Sequence, residues 1–158
     1  MTSNSLRERF PVATWVVATT FILSLVGIGI SIYLTIVHYN AAVHISCPNT
    51  GIINCADVIS GPYSSAFGIP FAVLGLLFWT GMAVLCSPWA WARPELFVHQ
   101  VRLFGSVTGV LFVGYLVWIE FGIKHHICLW CTSIHVLAFV LFSLLITNRV
   151  AVLDDASQ

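Results

Sequence analysis

Residues 127–147 read ICLWCTSIHVLAFVLFSLLIT, an apolar run that carries two cysteines in its first turns. About 20 largely apolar residues are enough for a helix to cross the hydrocarbon core of a bilayer. Three further stretches, at about 14–37, 68–87 and 102–121, have the same length and character. The sequence therefore predicts an all-α membrane protein, a bundle of four transmembrane helices that forms one domain over residues 1–158.

The composition supports lipid as the solvent for most of the chain. Of its 158 residues, 59% are apolar and 8% are charged, whereas about a quarter of a soluble protein is charged. The net charge is zero and no basic stripe is present, so nucleic acid is not an expected partner. The first apolar run is too long for a signal peptide and lacks a small-residue cleavage site, so we expect it to remain as a transmembrane helix.

The distribution of cations predicts the orientation. Four spans place both termini on one side, and loops rich in Lys and Arg face the cytoplasm. Only Lys124 lies on the opposite side from the other five cations, which are Arg7, Arg9, Arg93, Arg102 and Arg149. We therefore expect a multi-pass protein of the cell inner (plasma) membrane with both termini cytoplasmic. The 38–66 loop between the first two spans would then be periplasmic.

This loop is unusual in composition and length. It is rich in Ser, Asn, Gly and Pro and contains no Lys or Arg. The stretch NCADVIS, residues 54–60, predicts a short helix that Asn54 caps and Pro62 ends. Because a structureless loop of this length is uncommon unless it is functional, we expect the loop to take part in the activity.

The predicted topology sorts the five cysteines into two pairs and one remaining thiol. Cys47 and Cys55 lie in the outer loop, and Cys128 and Cys131 lie at the outer end of the fourth span. Cys86 lies near the inner end of the second span, where we interpret it as a packing residue. Two pairs that face one oxidising compartment favour a redox function.

Two alternatives use the same residues. A zinc site is possible in a metal-binding membrane protein, either from His125, His126, Cys128 and Cys131 or from His44, Cys47 and Cys55. In the second alternative the cysteines form static disulfides in a membrane scaffold without catalytic activity. The second alternative is the weaker one, because a disulfide within one helical turn constrains almost nothing.

The fourth span places its cysteine pair between water and lipid. A helix N-terminus has free N–H groups and a positive dipole end, which favour a thiolate at Cys128. Cys131 lies one turn deeper, where its natural contact is a molecule dissolved in the bilayer. Lipid-soluble two-electron acceptors are typically quinones, and thiol–disulfide exchange also moves two electrons. His135 shares the helical face of Cys131 and is a candidate to bind a quinone oxygen.

Other polar and aromatic residues near the boundaries have ordinary interpretations. We expect Glu120, at the outer end of the third span, to snorkel to the interface in preference to relaying protons. We assign five tryptophans to an aromatic belt: Trp79, Trp89, Trp91, Trp118 and Trp130.

The stretch SCPNTGIINCADVISGPYSSAFGIPFAVLG, residues 46–75, followed by CLWC at 128–131, resembles the vitamin K epoxide reductase family in its bacterial single-domain form. The resemblance covers about residues 14–147. It implies that Cys128 and Cys131 are the active-site pair and that Cys47 and Cys55 shuttle electrons from an external protein. Cys128 would exchange with Cys55, and Cys131 would react with the quinone.

The resemblance also implies substrates, partners and a quinone site. The acceptor would be a menaquinone, ubiquinone or vitamin K-like quinone, with no metal. The electron donor would be a separate thioredoxin-like protein similar to disulfide-bond formation protein A. The residues expected to line the quinone site are His135, Phe67, Phe71, Trp130 and Ser60. Family members often have two consecutive polar residues shortly after the second loop cysteine, but here Gly61 follows Ser60. If the second of these positions carries a functional serine, Ser60 or Ser64 would replace it.

Overall fold

The computed structural model describes residues 12–40, 42–48, 50–93 and 96–157, which are mostly helical. Its elements are, in chain order, α1 (Thr14–Tyr39), α2 (Cys55–Ser60), β1 (Ser65–Ala66), β2 (Ile69–Pro70), α3 (Phe71–Leu85), α4 (Pro88–Trp91), α5 (Leu96–Trp118), a π-helical turn (Ile119–Lys124) and α6 (Leu129–Ser157). The two short strands form an antiparallel hairpin in which Ser65 pairs with Pro70 and Ala66 with Ile69. Arg7 and Arg9, on which the predicted orientation partly depends, lie outside the described residues.

Three helical segments among the described residues are long and apolar enough to cross a membrane: Thr14–Tyr39, Phe97–Lys124 and Leu129–Asn148. The second predicted span, at about 68–87, is the one missing from this set, and it contains α3, an apolar helix of 15 residues. At 1.5 Å per residue α3 rises only about 22 Å, whereas the hydrocarbon core is about 30 Å thick. α3 is short because the extended strand β2 directly precedes it and a separate helix, α4, follows it at Pro88 with Ser87 as N-cap. The count of four spans is therefore not confirmed.

The buried face of α1 is a stripe of small residues. Every third or fourth residue points inwards, in the order Val16, Thr20, Ser24, Gly27, Ser31, Leu34 and Val37. In lipid the large apolar residues are free to face outwards, and small residues at the contact let helix backbones approach closely. The hydroxyl groups of Thr20 and Ser24 each donate to the carbonyl one turn earlier, at 2.8 Å, so their burial leaves neither unsatisfied.

Trp79 of α3 occupies the space that Gly27 leaves on α1. A Cβ atom on Gly27 would overlap the indole ring of Trp79, whose exposed fraction is 1%. The prediction that Trp79 belongs to an aromatic belt is therefore wrong, because this ring packs between two helices. Trp89 and Trp118, in contrast, are exposed.

The end of the bundle where α3 ends and α5 begins is closed by Arg102. The guanidinium group donates two hydrogen bonds to the carbonyl oxygen of Leu85, at 2.9 and 2.7 Å, and lies 3.6 Å from the centre of the Trp91 ring. These contacts explain how Arg102 is buried although it was predicted beside a solvated loop. Cys86 is a free thiol in the same core, as expected of a packing residue.

Candidate functional site

The outer loop is joined to the start of α6 by a short parallel bridge. Ile53 pairs with Ile127. The backbone N–H of Ile127 donates to Ile52 at 2.8 Å, and that of Asn54 donates to Ile127 at 3.1 Å. Directly after this bridge α2 begins at Cys55, and Asn54 caps it by accepting the backbone N–H of Asp57 at 3.1 Å. The predicted helix at 54–60 is thus confirmed, and the bridge brings it to the N-terminus of α6.

Both cysteine pairs form disulfides within one apolar cluster. Cys47 is bonded to Cys55 with a Cα–Cα distance of 6.2 Å, and Cys128 to Cys131 with a distance of 5.1 Å. Cys55 and Cys128 are fully buried in this cluster with Leu34, Val37 and Ile59. Cys47 and Cys131 are only partly buried at its edge. The fold therefore brings a loop sulfur and a helix sulfur into the same apolar environment.

Three charged or titratable side chains, which we call the latch, hold α2 against the end of the π-helical turn. Lys124 donates to the carbonyl oxygen of Asp57 at 2.6 Å and lies 3.4 Å from its carboxylate. Nδ1 of His126 lies 3.1 Å from the same carboxylate oxygen. Partial burial acts to raise the pKa of Asp57, but the hydrogen bond with His126 and the charge of Lys124 outweigh it, so the pKa lies below its ordinary value of 3.8.

A second set of contacts holds the segment that carries Cys47. The indole N–H of Trp130 donates to the carbonyl oxygen of Ser46 at 3.0 Å, and the backbone N–H of Ser46 donates to the hydroxyl of Tyr33 at 3.1 Å. The rings of Tyr33 and Trp130 lie 5.0 Å apart. Trp130 therefore supports the loop, which is a structural contribution to the site.

An apolar cavity of about 320 Å³ lies beneath the loop, between α1, α3, α5 and α6. Polar groups line it at only a few points, including Ser64, Glu120, Cys131 and His135. Two residues of the wall are exposed, Thr108 in the middle of α5 and Tyr63 in the segment after α2. One member of the α6 disulfide, Cys131, thus faces the cavity.

The predicted lining residues divide between wall and surface. Phe71 and His135 belong to the cavity wall. Ser60, Phe67 and Trp130 do not line this cavity, and their contact with a quinone stays a prediction. Phe67 lies at the turn between β1 and β2 with a positive φ of 52° and is fully exposed, and Ser60 faces solvent at the end of α2. Ser64, the predicted alternative to Ser60, is buried in the wall.

One residue of this wall, Glu120, is not among the site residues that the sequence predicted. Its exposed fraction is 3%, and its carboxyl group faces the backbone N–H of Cys128. The expectation that it snorkels to the interface is wrong, because the π-helical turn directs it inwards. The available signal was an acid within an apolar span close to the Cys-x-x-Cys pair, since ionisable residues inside membranes are functional by default.

The zinc sites considered from the sequence are not assembled in the described part of the chain. No group of three or more His, Cys, Asp or Glu side chains lies there in an arrangement that would hold a metal ion. His126 instead contacts Asp57, while His125 is exposed in a left-handed backbone conformation that ends the π-helical turn. The cysteines are engaged in the two disulfides.

Membrane-spanning helices with two disulfides beside an apolar cavity define the class of a membrane thiol–disulfide protein. The model of the vitamin K epoxide reductase family matches residues 18–146, and the chain therefore belongs to that family. Among curated proteins no match to the chain is found. Membership implies a membrane thiol oxidoreductase from a family that uses quinones and typically interacts with thioredoxin-like proteins.

Proposed function

We propose that the chain carries electrons from a separate thioredoxin-like protein through Cys47–Cys55 and then Cys128–Cys131 to a quinone in the cavity. The observation that carries the proposal is the position of Cys131, which is half of a disulfide and also part of the cavity wall. Its partner Cys128 shares an apolar cluster with Cys55. One disulfide is therefore within reach of a sulfur atom on one side and of a lipid-soluble substrate on the other.

The first exchange takes place at the loop disulfide. Cys47 is its more exposed member, so a thiolate of the partner protein attacks Cys47 and releases Cys55 as a thiolate. The second thiol of the partner then attacks its own sulfur in the mixed disulfide. The partner leaves oxidised, and Cys47 and Cys55 hold the two electrons.

The second exchange moves these electrons to α6. The Cys55 thiolate attacks Cys128, and Cys131 leaves as a thiolate that faces the cavity. The Cys47 thiolate then attacks Cys55, which restores the loop disulfide and leaves Cys128 reduced. The backbone N–H of Cys131 donates to the Cys128 sulfur at 3.2 Å, and such a contact at a helix N-terminus stabilises the negative charge on this sulfur as it leaves Cys55. Cys128 and Cys131 then take up the two protons that the thiols of the partner released.

The cavity suits a quinone ring in size and chemistry. Its volume is at the lower end of the range for small-molecule sites, about 300 to 1,000 Å³. The wall is mainly apolar, with Phe71 beside the space and His135 and Ser64 as polar contacts for the ring oxygens. Thr108, an exposed wall residue in the middle of an apolar helix, is where a substrate dissolved in lipid would enter. A quinone bound there takes up two electrons and two protons.

The proposed protein is a single domain of residues 1–158 in the cell inner (plasma) membrane, with four spans, of which α3 is the second, and both termini cytoplasmic. Two observations support this arrangement. The disulfides and Lys124 lie together at one end of the bundle, and Arg93 and Arg102 lie at the other, each stacked on a tryptophan. An excess of Lys and Arg marks the cytoplasmic side, so the 38–66 loop faces the periplasm.

The test is oxidation of a reduced thioredoxin-like protein by the purified chain in lipid vesicles that contain ubiquinone or menaquinone. We expect oxidation of the partner to require the quinone, and Cys131→Ser to reduce the rate to background, because Cys131 joins the disulfide to the cavity. Hydroquinone absorbance and the thiol content of the partner are measured together.

Cys86→Ser is the matched control, since Cys86 is a free thiol remote from the loop and lies beside the hydroxyl groups of Thr20 and Ser24. It should keep the wild-type rate. Wild-type turnover by Cys131→Ser contradicts the proposal. So does a wild-type protein that retains stoichiometric zinc through dialysis and reduces no quinone.

A further inference from the structure

Two protons must leave the dithiol of α6 when it is oxidised, and the two cysteines differ in their access to the cavity. Oxidation of Cys128 and Cys131 forms one S–S bond and releases two electrons and two protons. Reduction of a quinone to hydroquinone consumes both. Cys131 belongs to the cavity wall and can pass its proton directly. Cys128 is completely buried and is not a wall residue, so its proton needs a carrier.

We propose that Glu120 is this carrier, a catalytic residue that accepts the thiol proton of Cys128 and donates it to the quinone oxygen. The inference deepens the proposed function and depends on it. The carboxyl group of Glu120 faces the backbone N–H of Cys128 and also belongs to the cavity wall. Among the described carboxyl groups, it is the one that belongs to the cavity wall.

The environment of Glu120 argues against a purely structural role. Glu120 is buried within a membrane-spanning segment and forms no ion pair with any described residue. The nearest cation along the turn, Lys124, is already engaged by Asp57. An unpaired buried carboxylate is costly, so a carboxyl group in such a place is best explained by proton transfer.

The π-helical turn explains how Glu120 reaches this position. The turn at Ile119–Lys124 adds residues per turn at the end of α5 and directs both Ile119 and Glu120 inwards. Such π-helical insertions occur frequently at functional sites. His135 lies on the α6 side of the same cavity, is buried, and forms no hydrogen bond with a described residue. A quinone ring placed between Glu120 and His135 would meet a polar group on each side.

The transfer is balanced without any further reagent. Glu120 enters as the neutral acid. The Cys131 thiol adds to the quinone, so that its sulfur bonds to the ring and its proton goes to one quinone oxygen. The Cys128 sulfur then attacks Cys131, and the bond from sulfur to the ring breaks with its electron pair left on the quinone. In this step Glu120 gives its proton to the second oxygen and takes the thiol proton of Cys128. At the end Glu120 is the neutral acid again, the disulfide is closed and hydroquinone is released.

The test is a single turnover in which the pre-reduced protein is mixed with ubiquinone-1 and hydroquinone formation is followed by absorbance. Glu120→Gln should slow this step about 100-fold, as expected for loss of an acid–base group. Glu120→Asp, which retains a carboxyl group, should lose much less. Formation of the mixed disulfide between the thioredoxin-like partner and Cys47 does not involve Glu120 and should proceed at the wild-type rate in both variants.

The possible failures are distinguishable. If wild-type protein forms no hydroquinone, the proposed function is wrong. If wild-type protein is active and Glu120→Gln forms hydroquinone at the same rate, the role of Glu120 is wrong. If Glu120→Gln does not fold, Glu120→Ala with added formate decides the matter. Formate should restore the hydroquinone step as its concentration rises, and failure to do so in a folded protein overturns the inference.

Discussion

At the scale of single residues, Gly61 shows how a small side chain makes the latch possible. A Cβ atom at this position would overlap the carbonyl oxygen of Asp57 and crowd Nζ of Lys124. Gly61 therefore leaves the space through which the lysine reaches the end of α2. Where the family often has two consecutive polar residues, this chain has Ser60 followed by Gly61. The space that Lys124 needs is a structural reason for this difference.

The neighbouring histidines at 125 and 126 allow a matched test of the latch. His126→Asn removes the contact with Asp57, whereas His125→Asn changes an exposed residue in a left-handed conformation that asparagine tolerates. We expect His126→Asn to raise hydrogen exchange in α2 about fivefold, equivalent to about 1 kcal/mol for one polar contact. His125→Asn should leave exchange unchanged. Equal exchange in the two variants would show that His126 does not hold α2.

The latch should also depend on pH in a defined direction. The pKa of Asp57 is lowered in the folded protein, so its contribution is fully present above the ordinary value of 3.8 and is lost as the pH falls through the lowered pKa. Protection of the α2 amides, corrected for intrinsic exchange, should therefore decline only in this acid range. Asp57→Asn should remove the dependence.

At the scale of helices, the contact of α1 with α3 depends on residues that leave space. Gly27 and Gly29 lie two positions apart on α1 and differ completely in what a side chain would meet. A Cβ atom on Gly27 would overlap the buried Trp79 ring, while one on Gly29 would meet nothing within 4 Å. Composition alone treats these two glycines as equivalent.

We expect Gly27→Ala to lower the free energy of unfolding in detergent by about 1–3 kcal/mol, the usual cost of overpacking a core. Gly29→Ala is the control and should be neutral or stabilising by up to about 1 kcal/mol, because alanine favours helix more than glycine does. Equal destabilisation by both substitutions would contradict the packing that we describe. The comparison isolates the α1–α3 contact because both changes add the same methyl group to the same helix.

At the scale of the whole molecule, the redox groups gather at one end of the bundle, and the packing that supports them is at the other. Trp79, Met82 and Leu141 belong to one core cluster, and Arg102 closes that end of the bundle. The second cluster consists largely of the disulfides and the residues around them. The packing of the bundle and the disulfides thus occupy separate parts of the molecule.

If the electron route is correct, the loop and α6 can be trapped in covalent contact. The double substitution Cys47→Ser/Cys131→Ser leaves Cys55 and Cys128, which share one buried cluster. We expect these two to form a disulfide in most molecules, detectable by peptide mass spectrometry without reduction. In the control Cys55→Ser/Cys131→Ser, Cys47 remains at the edge of the cluster, and the cross-link should form in fewer molecules. A cross-link absent from the first variant would exclude direct exchange between loop and helix.

Much of this protein follows from local sequence. The length and composition of the apolar runs determine that lipid is the solvent, because those properties are summed along one segment and need no partner. The Asn54 cap is local in the same sense, and so are the two disulfides, because the bonded cysteines are separated by 8 and by 3 residues in the sequence. The quoted motifs were also sufficient for the resemblance that the family match confirms.

Only the tertiary structure decided which side chains line the cavity. Glu120 and Ser64 lie in its wall and Phe67 outside it, because a π-helical turn, a hairpin and the bridge between Ile53 and Ile127 set where each points. The bridge joins segments far apart in the chain, and the turn and the hairpin interrupt the regular helices that the apolar runs predict. In a membrane, moreover, both the lipid-facing and the buried faces of a helix are apolar, so hydrophobic periodicity does not reveal which face meets the site.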